Sequence, residues 1–144
     1  MNKVFLDTNI ILEHALGREF SVDADRILAM SEKRTINCYI STGAVYTLAY
    51  VLEKAIKNID IVREKLLLYL TMVTPVSALS YNFEQAICDK SFDDIEDAFQ
   101  YYTALQAGCD FFVTLNVKDF KKGAMKKLPV FKPDEYLLLF SKIY

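Results

Sequence analysis

Acidic side chains stand at three places where a folded chain can use them. The first is Asp7 in "VFLDTNIIL": the strand-like run Val4, Phe5, Leu6 stops at the acid, and after Thr8 and Asn9 apolar residues resume at helical spacing. An acid between a strand end and a helix start is where α/β proteins hold catalytic or metal-binding groups. It is also a helix cap, because Asp, Thr and Asn all satisfy free N–H groups there. The second group is Asp93, Asp94, Glu96 and Asp97 in "SFDDIEDAFQYYTALQ". Offsets of three and four put Asp93, Asp94 and Asp97 on one helix face and turn Glu96 elsewhere. Acids in a first turn complement the helix dipole, which is sufficient for Asp93 and Asp94. It explains Asp97 less well, since the apolar pattern Ala98, Tyr101, Tyr102, Leu105 follows at once. The third group is Asn116 and Asp119, just past a strand that ends at Thr114.

These groups meet only if the elements bring them to one edge. Residues 3–6 read as a strand and 9–16 as a helix ending at Gly17. A helix over 22–33 carries Ala24, Ile27 and Leu28 on one face, and "INCYI" at 36–40 is a second strand. Ser41 caps a helix over 42–56, and 59–72 repeats the helical pattern, making a hairpin around Asn58. A strand at 73–76, helices at 79–89 and 94–107, the strand "DFFVTL" at 110–115, an edge strand near 129–131 and a helix from Pro133 complete the chain. Strands alternating with helices predict a mainly parallel sheet covered on both faces, with the strand C-terminal ends along one edge. There Asp7, Asp97 and Asp119 converge.

Composition limits the alternatives. At 144 residues, 53% hydrophobic with 4 Gly and 3 Pro, the chain reads as one packed domain spanning 1–144. No apolar run reaches the about 18 residues of a membrane helix, and the N-terminus does not read as a signal peptide, which predicts a cytoplasmic protein without membrane association. Cys38, Cys88 and Cys109 are too widely spaced and odd in number for a disulfide framework or zinc site, and read as small core residues. The single histidine, His14, reads as solvent-facing. A net charge of −2 gives no overall attraction to nucleic acid, so any such contact needs a local patch. Lys118, Lys121, Lys122, Lys126 and Lys127 supply a candidate, although a run of this kind also serves as a solvated face.

Asp-Thr-Asn after the first strand, Glu-Asp-Ala opening a late helix and Thr-x-Asn-x-x-Asp-Phe after a late strand, in that order, resemble the PIN-domain family of small bacterial ribonucleases, in particular its VapC-like toxin branch. The resemblance covers essentially the whole chain. It implies a PIN-like three-layer α/β/α sandwich around a mainly parallel sheet. It also implies a metal-dependent endoribonuclease using Mg²⁺ or Mn²⁺, with RNA as substrate, 5′-phosphate and 3′-hydroxyl products, and an antitoxin protein as partner. Carried over by position, the family's acids fall on Asp7, Asp97 and Asp119, with Asn116 as a polar neighbour. The family's remaining acid, usually a Glu on the helix after the second strand, falls on Thr47, and the nearest acid, Glu53, lies nearly two turns further along. Thr8, Asn9, Asp94 and Thr114 are supporting candidates, and Lys118, Lys121 and Lys122 are candidates for RNA contact.

Two other functions compete on the residues. A binding module with weakened catalysis is favoured by Thr47; a phosphatase of the haloacid-dehalogenase type is disfavoured by Asn9, where that chemistry wants a second Asp. Among 10 Phe and 9 Tyr with no Trp, most aromatics must be core, and Tyr46, Tyr50, Tyr101 and Tyr102 are the base-stacking candidates. The apolar fraction exceeds what a small domain comfortably buries. It predicts an exposed apolar surface on the first helices and the 42–72 hairpin, used in a homodimer.

Overall fold

A computed structural model describes residues 1–120 and 127–143. The elements run β1 (Lys3–Leu6), α1 (Thr8–Ala15), α2 (Ser21–Glu32), β2 (Asn37–Ser41), α3 (Thr42–Ala55), α4 (Ile59–Met72) and β3 (Val73–Val76). They continue with α5 (Ser80–Cys88), α6 (Ile95–Gln106), β4 (Phe111–Val113), α7 (Val117–Phe120), β5 (Val130–Phe131) and α8 (Pro133–Ile143). Among the described residues the strands form one sheet in the order β3-β2-β1-β4-β5, every pair parallel.

Alternation along the strands makes this a three-layer sandwich. Val4 and Leu6 of β1, Cys38 and Ile40 of β2 and Val113 of β4 face one core, closed by α1, α2, α3, α4 and Tyr136 of α8. Phe5 and Phe112 face the other, closed by Tyr101 and Ala104 of α6, Val117 and Phe120 of α7, and Leu128. Phe5 stacks on Phe112 with ring centroids 5.3 Å apart, and Phe120 stands 4.8 Å from Phe112. Full burial of each such ring stabilises the fold by roughly 1.5–3 kcal/mol relative to exposure. Tyr101 belongs to this core, which removes it as a base platform, and the partly buried Tyr102 packs against it with its hydroxyl donating to Asp89 at 2.8 Å.

The order of strands places the crevice. Successive strands β1, β2, β3 extend the sheet in one direction and β4, β5 in the other, so the connections diverge between β1 and β4. Ligands of open parallel sheets bind at such a divergence, outside the strand C-terminal ends. Leu6 pairs with Val113, and the Asp7 N–H donates to the Val113 carbonyl at 2.9 Å, which sets Asp7 beside Thr114 at that opening.

Three expectations are corrected. Cys88 is exposed at the end of α5 and Cys109 is only partly buried, so Cys38 alone is a core thiol. The apolar pattern around Cys88 belongs to a helix whose other face packs on α6. His14 is partly buried between helices: its Nδ1 meets the Tyr69 hydroxyl at 2.7 Å and its Nε2 meets Asp25 at 3.1 Å. Tyr69 lies 55 residues along the chain, a partner no local pattern reveals. Asp93 precedes α6, which begins only at Ile95, and therefore does not share its face. The expected apolar surface is present on α3 and α4: Tyr46, Tyr50, Leu67 and Leu68 are 80%, 63%, 66% and 54% exposed. Among the described residues no helix is long and apolar enough to cross a membrane.

Candidate active site

Asp7 is held from both sides. As the N-cap of α1 it accepts the Thr8 N–H on Oδ1 at 2.8 Å, while the Thr114 hydroxyl donates to Oδ2 at 2.8 Å. The same Thr114 oxygen accepts the Asn116 N–H at 3.1 Å, tying the loop after β4 to the acid at the end of β1. The cap and functional readings of Asp7 are therefore compatible: one oxygen does each job only in part, and lone pairs remain on both.

Asp97 enters from α6. Asp94 caps that helix by accepting the Asp97 N–H at 3.0 Å, which fixes the first turn and leaves the Asp97 carboxylate itself free of that duty. Asp7, Thr8, Asn9, Thr47, Asp94, Glu96, Asp97 and Asn116 line a cleft of about 230 Å³. Asp7 and Asp97 are buried there, 6% and 8% exposed.

Electrostatics distinguishes these two from the rest. Burial pushes the Asp7 carboxyl up from 3.8 to about 6, against the lowering pull of Thr114 and the Thr8 N–H, with Glu96 and Asp94 adding repulsion. Burial likewise pushes Asp97 to about 7, with further repulsion from Asp7, Asp94, Asp119 and Glu96. A cation placed between such groups relieves both the desolvation and the repulsion.

The positions of the remaining candidates differ from one another. Asp119 is exposed and lines an adjoining hollow with Asn116, Lys118 and Lys132; Asn116 borders both spaces, and Asp119 adds its charge to the field at Asp97. Among the described residues no three carboxylate, histidine or cysteine side chains are close enough to ligate one ion together. The cleft's direct offer is thus the Asp7–Asp97 pair. That donor set fits Mg²⁺ or a similar hard cation, which is commonly held by one or two carboxylates and otherwise by water. The buried Asn9 Oδ1, without a partner among the described residues, is a further oxygen at the same place. Lys121 and Lys122 lie outside the described residues.

Glu96 was expected to point elsewhere, yet it lines the cleft and raises both buried acids. In the exposed first turn of a helix that ends at the cleft, neighbouring residues on the rim all reach it, so helical offsets overstate the separation. Gln100 was not singled out at all: it is buried one turn beyond Glu96, and its Nε2 donates to the Thr8 hydroxyl at 3.4 Å. Lys132, beside Asp119, was also missed. Thr47 lines the cleft, its hydroxyl donating to the Gly43 carbonyl at 3.2 Å, while Glu53 borders a separate hollow at the α3–α4 turn.

The PIN domain family model matches residues 3–118. Ribonuclease VapC1 of Aquifex aeolicus is 31% identical over 126 residues, covering 82% of this chain and 83% of that protein. The fold is shared with VapBC2 from Rickettsia felis bound to a promoter DNA fragment, at TM-score 0.70 and 16% identity over 90% of this chain and 98% of that one. It is shared as well with VapBC-1 from nontypeable Haemophilus influenzae, at TM-score 0.67 and 16% identity over 92% and 98%. With acids at the β1–β4 opening and a family match over most of its length, this chain belongs to the PIN-domain family.

Proposed function

We propose that this protein is a divalent-metal-dependent endoribonuclease, the toxin of a toxin–antitoxin pair acting in the cytoplasm. The observation that carries the reading is the buried Asp7–Asp97 pair, two carboxyls pushed up to about 6 and about 7 whose charged forms a bound cation would stabilise at neutral pH. The likeness to Ribonuclease VapC1 supports the substrate class, and a toxin–antitoxin complex from Klebsiella pneumoniae that shares the fold, at TM-score 0.66 and 18% identity over 90% of this chain and 97% of that one, supports the kind of partner.

Asp7 and Asp97 would hold Mg²⁺ or Mn²⁺. Such an ion, when bound, acidifies water for in-line attack on a phosphodiester and offsets charge growing on the phosphate oxygens. The chain's own contribution is orientation and charge. Thr114 and the Thr8 N–H lock the Asp7 carboxylate in one rotamer, and the Asp94 cap fixes the turn that carries Asp97. Lys118 and Lys132, around Asp119 on the adjoining rim, draw in the RNA backbone and position it without reading its sequence. Asn116, which borders both spaces, and Asp119 in the adjoining hollow would orient water near the cleft. The products carry 5′-phosphate and 3′-hydroxyl ends.

The apolar surface of α3 and α4 is the proposed seat of protein contacts, in a homodimer bound by the antitoxin. A second reading, an RNA- or protein-binding module with weakened catalysis, rests on Thr47, which places a neutral hydroxyl in the cleft wall. Expression in a bacterial host separates the two. The toxin reading expects growth arrest that co-expression of the antitoxin relieves, with purified protein cleaving single-stranded RNA in Mg²⁺ or Mn²⁺ but not in EDTA. Tight RNA binding with no cleavage in either metal supports the binding module instead.

A further inference from the structure

We propose that a second cavity, adjoining the acidic cleft, receives a guanine base of the RNA and so selects the cleaved step. The proposal rests on the ribonuclease reading for its substrate and on separate observations for its site. The cavity has a volume of about 200 Å³ and shares Thr47 and Glu96 with the cleft, so an occupant would sit immediately beside Asp7 and Asp97. Its side walls are aromatic: Phe83 of α5 and Phe99 of α6 meet edge to face, with centroids 5.0 Å apart and planes at 83°. That arrangement leaves ring surface for a flat heterocycle, and aromatic–base stacking is a general source of affinity for unpaired nucleotides.

The polar lining gives the slot its preference. Glu96 offers an exposed carboxylate. Gln100, 6% exposed, lines the slot with a half-used amide: Nε2 donates to Thr8, while Oε1 has no partner among the described residues. A buried amide oxygen is rarely left unpaired in a folded protein, so a group that donates to Gln100 Oε1 is favoured at the slot. The Thr47 hydrogen is spent on the Gly43 carbonyl and the Thr103 hydrogen on the Phe99 carbonyl, so both hydroxyls face any occupant as acceptors. Glu96, Gln100 Oε1, Thr47 and Thr103 thus form an acceptor set, with the Ser41 and Thr42 hydroxyls elsewhere in the lining able to donate, and the base that satisfies the acceptor set presents adjacent donors. Guanine does so, with N1–H and N2–H₂ side by side on its Watson–Crick edge, suited to both oxygens of one carboxylate; adenine, cytosine and uracil carry no such pair. Gly43, in the first turn of α3, also borders the slot, where helix geometry leaves N–H groups without an intrahelical acceptor, a match for guanine O6.

Two measurements test the assignment. In the first, metal-free protein is titrated with guanosine, adenosine, cytidine and uridine, uncharged probes that the surrounding acids do not repel, while the Phe83 and Phe99 ring resonances are followed by NMR. In the second, unstructured RNA oligonucleotides carrying one guanosine, walked through an adenosine background, are cleaved in Mn²⁺ by wild type and Glu96→Gln. Guanosine should bind at least about tenfold tighter than the other nucleosides, as a bidentate contact to a base edge provides. Wild type should cleave at one fixed offset from the guanosine with a similar preference. Because Glu96→Gln is scored as the ratio of guanosine to adenosine within that variant, any change in its overall rate cancels; the ratio should fall close to one. Cleavage with no preferred base at any position overturns the guanine slot and leaves the ribonuclease reading intact. Selective guanosine binding without cleavage of any RNA keeps the slot and removes that reading. Nucleosides that leave Phe83 and Phe99 unmoved, or a preference unchanged in Glu96→Gln, also overturn the slot.

Discussion

Asp7 is placed where it is least comfortable when the cleft holds no cation. Its folded value near 6 lies above the ordinary 3.8, so between these limits the folded protein keeps a proton that the unfolded chain releases. Stability therefore falls as pH rises from about 4 to 6, and Asp97, raised to about 7, extends the fall toward neutrality. For Asp7 alone the neutral-pH cost is up to roughly 3 kcal/mol. The expected outcome is that in EDTA the Tm advantage of Asp7→Asn over wild type grows between pH 4 and 7, and that saturating Mn²⁺ raises the wild-type Tm most at the upper end. A flat difference would mean that Asp7 is ionised at no cost. Thr114→Val removes the hydroxyl that stabilises the charged form, and calorimetry should show Mn²⁺ affinity reduced about tenfold, the size typical of lost outer-sphere partners. At this scale the sequence pointed to Asp7 because an apolar run stops at it and to Asp97 because an apolar pattern follows it at once. It concealed Glu96, Gln100 and Lys132, whose roles come from what lies across the cleft: Gln100 reads as one more position in a helix until Thr8, 92 residues away, is seen to accept from it.

Among the elements, β1, β4 and the first turn of α6 do the positioning. The strands were legible because both faces of a parallel sheet are buried, giving the short apolar runs "VFL" and "FFV" their character. The start of α6 was legible to one residue, since Asp94 is a natural cap; as the residue just outside the helix, it also excludes Asp93 from the face that offsets alone had assigned to it. Where Asp119 would lie was harder to read, because it sits in a short helical turn after a loop, and loop direction is set by tertiary packing of Val117 and Phe120. The α3 contribution can be tested directly. Thr47 lines the cleft, so Thr47→Glu adds a carboxylate there and should tighten Mn²⁺ binding by about tenfold or more, read by calorimetry near pH 7. Unchanged or weaker binding would mean that the α3 side chain cannot reach the ion.

For the whole molecule, the apolar content visible in the composition became two cores and an uncovered face. Which face stayed uncovered was half legible: the 42–72 hairpin was anticipated, and Leu67 and Leu68 of α4 remain well exposed, as do Tyr46 and Tyr50 of α3. If that face is the dimer contact, Leu67→Glu with Leu68→Glu should shift light scattering at micromolar concentration from dimer to monomer while leaving the Tm nearly unchanged, since both side chains already face water. A wild type that is monomeric throughout would contradict the contact. If the two buried acids act through a metal, one comparison shows it most directly: cleavage of a single RNA by wild type and Asp7→Asn in saturating Mn²⁺, with EDTA as control. The amide keeps the shape and the Thr8 cap but removes the charge that holds the ion. The prediction is cleavage by wild type that EDTA abolishes and a loss of at least about 100-fold in Asp7→Asn, with that mutant folded and no less stable in EDTA at pH 7. Equal cleavage by both proteins, or cleavage that persists in EDTA, would contradict it.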